Sequence, residues 1–179
     1  MAHEGIKFLR QEIRNAKTDE ERLSATIVLD QLLLLTDKRQ EYAEHVVEEL
    51  LPLAAKVFPN AGPNRDAVSG AVAITLFPLA IKEFSDQLPE KLVRTLSAKM
   101  DAVPHRDDDI DFASQAVLNA FGLRLNDTAL IERADARLAK HPAKSRWSPA
   151  EKREVDTATL RRIRIGFILP ELLAEAFGQ

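Results

Sequence analysis

Cysteine is absent from the 179 residues of this chain. Without it there are no disulfides, no thiolate zinc sites and no cysteine nucleophiles, and a reducing, cytoplasmic setting is expected. Glycine is scarce, at six residues, and there is one Tyr and one Trp. That composition favours helices over strands. Long apolar runs are also missing. The longest extends from Gly70 to Ile81 and is interrupted by Thr75 and Pro78. It is too short to span a bilayer and suits a buried helix, so no membrane segment is expected. The opening MAHEGIKFLRQEIR alternates charged with apolar residues and does not resemble a signal peptide. No G-x-S-x-G, S-x-x-K, Walker A or G-x-G-x-x-G motif occurs, so neither an enzyme nor a cofactor is expected.

The residues present describe a globular helical chain. Hydrophobic residues make up 45% and charged residues 30%, enough for a single domain over 1–179 with one continuous core. Residues 4–16 put Ile6, Leu9, Ile13 and Ala16 on one face at helical spacing. Thr18 and Glu21 form a capping box that opens a second helix running to about Leu35. Asp37 is positioned to cap a third, which carries Tyr42, Val46, Val47, Leu50, Ala54 and Val57. The segment 58–64 reads as a turn, followed by a fourth helix over about 65–84. Pro89 suits the first turn of a fifth, with Leu92, Val93, Leu96 and Met100 inward. An Asp in 107–109 caps a sixth, bearing Ile110, Ala113, Val117 and Phe121 and stopping at Gly122. Asn126 or Asp127 caps a seventh that ends before His141-Pro142. A second capping box, Ser148-Pro149-Ala150-Glu151, opens the last helix, which Pro170 kinks or divides. Residues 162–167 alternate like a strand, yet have no second strand to pair with, so they are read as helical.

These elements fall into antiparallel pairs whose turns centre near residues 17, 60, 104 and 144. Within the chain, LLPLAAKVF (50–58) echoes LFPLAIKEF (76–84). The stretch ELLPLAAKVFPNAGPNRDAVSGAVAI (49–74) resembles a HEAT-type repeat: an apolar helix with an early Pro, a Pro/Asn turn, then an Ala/Val-rich helix. The resemblance covers one pair by residue type and the other three by spacing. It implies about eight helices in a short right-handed array acting as a binding scaffold, and it brings no functional residues with it. A compact multi-helix bundle is the alternative. The second helix is apolar all round, with Leu29 and Leu33 on a third side, which calls for enclosure within the chain or by a partner. Leu29 and Leu33 are therefore candidate protein-interface residues.

Three polar groupings could carry chemistry. Arg106 to Asp111 is dense in carboxylates but lacks the calcium-loop pattern, and the simpler reading is a helix N-terminus. Glu41, Glu44, His45, Glu48 and Glu49 share a helix, but Tyr42 stands where a di-iron Glu-x-x-His motif needs Glu, so a solvated face is expected. Asp30, on the apolar second helix, would need a partner such as Arg if buried. No metal site is assigned.

Charge is the strongest functional signal. Residues 137–164 hold nine Lys/Arg against three acids, a local +6, which leaves −9 on the rest of a chain of net −3. Lys140, Lys144, Arg146, Lys152, Arg153, Arg161 and Arg164 are candidate anion-binding residues, and Trp147 among them could stack on a base. At 100° per residue, Arg153, Arg161 and Arg164 fall within roughly eighty degrees of one another. The chain is accordingly read as a non-enzymatic helical interaction module that binds another protein or a second copy of itself. The alternative is a nucleic-acid-contacting subunit of a larger ribonucleoprotein or DNA complex.

Overall fold

The computed structural model describes residues 2–60, 65–103 and 109–141. All its regular elements are helical, with no strand among the described residues. They are α1 (Ala2–Asn15), α2 (Asp19–Leu35), α3 (Arg39–His45), α4 (Leu51–Val57), α5 (Arg65–Leu76), α6 (Lys82–Ser85), α7 (Glu90–Asp101), α8 (Asp109–Leu125) and α9 (Thr128–Lys140). The expected last helix, its Ser148 cap, the Pro170 kink and the alternating 162–167 stretch lie outside the described residues.

The capping box forms as the sequence predicts. The Glu21 amide donates to Thr18 Oγ1 at 3.1 Å, and the Thr18 amide donates to Glu21 Oε2 at 3.3 Å. Helix α2 then runs to Leu35 and closes in a Schellman turn. Asp37, at φ 59°, is the left-handed residue, with the Lys38 amide reaching Leu33 O at 3.0 Å. Asp37 thus ends α2 instead of capping α3, whose N-cap is Lys38. The same device closes α8. Asn126 has φ 54° and the Asp127 amide reaches Gly122 O at 2.9 Å, after which Asp127 caps α9 by accepting from the Leu130 amide at 3.0 Å.

Gly122 therefore does not stop α8. It sits inside the helix because α9 crosses there: a Cβ on Gly122 would lie 2.8 Å from Ile131 Cγ1 and 3.2 Å from the Ile131 amide nitrogen. At Gly70, by contrast, an added Cβ would meet nothing within 4 Å. Its neighbour Ser69 has the structural role, accepting from the Asp109 amide at the start of α8 at 3.1 Å.

Both members of the internal echo interrupt a helix at proline, each in its own way. Proline cannot donate to the carbonyl four residues back, and its ring crowds that carbonyl. Before Pro52 the chain widens into a π-helical turn, Val46–Leu50, in which the Leu51 amide reaches Val46 O. At Pro78 it tightens into a 3-10 turn, Phe77–Ala80. The expected helix over 65–84 is accordingly α5, this turn and the short α6.

Helices α2 and α8 are the two enclosed elements. Helix α1 packs antiparallel on α2 across a three-residue connection, and α3 and α4 also pack on α2. Helices α7 and α9 pack on α8, and α5 bridges the halves by contacting both α2 and α8. The buried apolar side chains, from Ile6 to Ala134, form one core cluster.

Candidate functional site

Polar residues run through this core in two groups. In the first, buried Asp30 on α2 binds His45 at the end of α3, with Oδ1 2.6 Å from Nδ1. Beside it, Gln31 Nε2 donates to Thr75 Oγ1 at 2.9 Å, Thr75 Oγ1 donates to Ala71 O at 3.0 Å, and the Tyr42 hydroxyl donates to Thr75 O. A polar side chain removed from water costs stability unless it is hydrogen-bonded, so these bonds fix how α2, α3 and α5 sit together. The second group joins the two ends of the α8–α9 hairpin. Asp111 in the first turn of α8 lies 3.4 Å from His141 Nε2, with Gln115 Nε2 3.4 Å from its other oxygen. The His141 ring meets Phe112 edge-on at 5.5 Å.

Sequence reasoning missed both Asp–His pairs. For Asp30 it expected an arginine and found the right need with the wrong partner. For His45 it saw only the neighbouring glutamates. The structure disperses those: Glu41 pairs with Arg10 and Lys38, and Glu48 with Lys99. Asp109 and Asp111 lie in the first turn of α8, where the sequence places a helix N-terminus, and both are buried. A usable signal did exist, because an acid on an apolar helix and a histidine at the edge of an apolar stripe both need a partner.

Chemically, Asp30 orients the His45 ring and leaves Nε2 as its remaining nitrogen, on a side chain that is 22% exposed. No group of three or more His, Cys, Asp or Glu that could hold a metal ion occurs among the described residues. The arrangement joins helices; it does not converge on a reacting atom.

The predicted surface residues fall elsewhere. Lys140 is exposed at the end of α9. Lys144, Arg146, Trp147, Lys152, Arg153, Arg161 and Arg164 lie outside the described residues. Leu29 and Leu33 are at 1% and 0% exposure, and pack into the chain's own core. The enclosure argument for α2 holds, but its own neighbours enclose it, so these two leucines offer no surface to a partner.

Among the described residues the large apolar side chains left exposed are Phe8 (60%), Leu35 (63%) and Leu123 (49%). The first two sit on the α1–α2 pair. A Cβ on Gly5 would lie 3.2 Å from Leu32 Cδ2, which sets Gly5 beside Leu32. Phe8 is three residues past Gly5 and Leu35 three past Leu32 on an antiparallel partner, so they flank that contact about 9 Å apart along the axes. No helix among the described residues is long and apolar enough to cross a membrane. No protein-family model, no curated protein and no solved structure matches this chain.

Proposed function

We propose that the chain is a non-enzymatic interaction module, a helix-pair scaffold of the HEAT-like kind its sequence resembles, which binds another protein through the α1–α2 pair. The observation that carries this reading is the exposure of Phe8 and Leu35 on neighbouring helices, where most other large apolar side chains among the described residues are buried or half-buried. Their offset of about 9 Å along the axes is somewhat under two helical turns. It suits a partner helix whose apolar residues recur at i and i+7, the helix-in-groove mode of recognition.

The test is the double variant Phe8→Ser/Leu35→Ser. Both side chains face water in the free chain, so the melting temperature should stay within a degree or two. A host protein crosslinked to the wild-type chain should be lost with the variant, and purified partner should bind the wild type alone. If self-association measured by sedimentation is what disappears, the partner is a second copy of this chain. If no complex depends on these two residues, the reading fails.

A further inference from the structure

We infer that the outward face of α9 is a docking surface for the phosphate backbone of nucleic acid, on an element separate from the α1–α2 pair. Arg133, Arg137 and Lys140 are all exposed and follow one another at i, i+4 and i+7. At 100° per residue they fall within roughly sixty degrees of one another, in a stripe about 10 Å long. The acids of α9 are off this line. Asp135 is held on the inner side by Asn119 Nδ2 at 2.8 Å. Glu132 is turned away from the stripe by roughly eighty degrees or more.

Elsewhere on the described surface most cations are matched to acids, among them Arg10 to Glu41, Lys56 to Asp19, Lys82 to Asp86 and Lys99 to Glu48, while Lys7, Arg14, Lys17 and Lys91 show no ion pair and form no comparable stripe ending in the basic segment. Arg137 and Lys140 have no acidic partner among the described residues. Arg133 pairs with Asp101 of α7 at 3.1 Å, with half of its side chain exposed. Such exposed pairs are weak and release their cation readily to a stronger anion. The helix dipole favours cations in a last turn, which accounts for Arg137 and Lys140 but not for Arg133, nearly two turns earlier. The stripe also leads in sequence directly into residues 141–164, which hold seven Lys/Arg against three acids within a chain of net −3. An array of separate cations on an otherwise acidic molecule suits a regularly spaced polyanion better than a single small anion, and nucleic acid presents one phosphate per nucleotide.

The experiment titrates the full chain against a fluorescently labelled 30-nucleotide RNA and a 30-base-pair duplex DNA at several salt concentrations. The wild type should bind at least one of them at low salt, with affinity falling steeply as salt rises. Arg137→Gln/Lys140→Gln should weaken that binding at least tenfold and reduce the log–log salt slope by roughly one to two, at about 0.7–0.9 for each phosphate no longer neutralised. Both side chains are exposed, so an unchanged melting curve will show that the variant is folded. Lys7→Gln/Arg14→Gln removes two exposed cations of α1 and should leave binding unchanged. The inference is overturned by a wild type that ignores both nucleic acids, by an α9 variant that binds as well as wild type, or by equal weakening in the α1 variant. It is also overturned if polyglutamate binds as tightly as the nucleic acid, which would make the partner an acidic protein. The α1–α2 proposal stands or falls separately on Phe8 and Leu35.

Discussion

Two glycines and one ion pair show how far single residues can be read. Gly70 and Gly122 look alike in sequence, each isolated among apolar residues, and they differ only in what lies across from them. Gly70 faces open space, so Gly70→Ala gains helix propensity without a clash and should raise stability by about 0.5–1 kcal/mol. Gly122→Ala drives a methyl group into α9 and should cost about 1–3 kcal/mol. Urea midpoints for the two variants check this, and equal shifts of the same sign would refute the packing account. No sequence pattern separates these positions, because the distinction is made by Ile131 on another helix. The Asp30–His45 pair was half legible in the same way. That Asp30 needs a partner follows from its place on an apolar helix, whereas the partner's identity follows from how α3 lies on α2. Removing His45 takes away the 2.6 Å partner of a fully buried carboxylate and should cost about 1–3 kcal/mol. The double-mutant cycle Asp30→Asn/His45→Gln should report a coupling of about 0.5–3 kcal/mol, and a coupling near zero would show that the 2.6 Å pair does not hold the helices.

At the scale of elements, periodicity and caps carried the reading well. The start of α2 at its Thr18 box, its end at Leu35 and the cap of α9 at Asp127 all follow from local chemistry, in which neighbours in sequence satisfy one another's backbone groups. The boundaries that were misread involve residues with two uses. Asp37 and Asn126 are good N-caps but also tolerate the left-handed conformation, and here both end a helix. Pro89 was read as a helix-start signal and Pro170 as a kink, whereas the effects of Pro52 and Pro78 on their own helices were not read. The π-turn at Val46–Leu50 lets Tyr42 and Ala43 before it, Val46, Val47 and Leu50 within it, and Leu51, Ala54 and Val57 after it all face the core. It amounts to one residue more than a regular helix needs. Deleting exposed Glu49 should therefore restore regular geometry and set Pro52 against the carbonyl four residues back, at a cost of about 3 kcal/mol or more. Adding Pro52→Ala to the deletion should recover much of that stability, while Pro52→Ala in the full chain should gain little. If the deletion is harmless with Pro52 in place, proline is not the reason for the wide turn.

For the molecule as a whole, helical class and the enclosure of α2 could be read from composition and periodicity, but how the helices join could not. That depends on α5, whose sequence shows only an apolar run with a Ser and a Thr in it. Thr75 accepts from Gln31 of α2, and its carbonyl takes the Tyr42 hydroxyl of α3, while Ser69 accepts the first amide of α8. One short helix thus bonds to both enclosed helices inside one continuous core. This arrangement makes a prediction that separates a compact bundle from an array of near-independent pairs. In an array, each unit touches only its neighbours, and damage to one loosens the others by little. In a bundle centred on α5, the most protected amides of α2 and α8 should exchange with solvent only through a common opening. Ala73 is fully buried on α5, and Ala73→Asp sets an unpaired charge between the halves. Hydrogen exchange followed by mass spectrometry should then show α2 and α8 losing protection together and by the same factor. Leu33→Ala, at a fully buried position of α2, should cost about 2–5 kcal/mol and lower protection in α8 as much as in α2. If α8 keeps its protection while α2 opens, the two halves fold as separate units, and the helix-pair array is the better description of how this chain holds together.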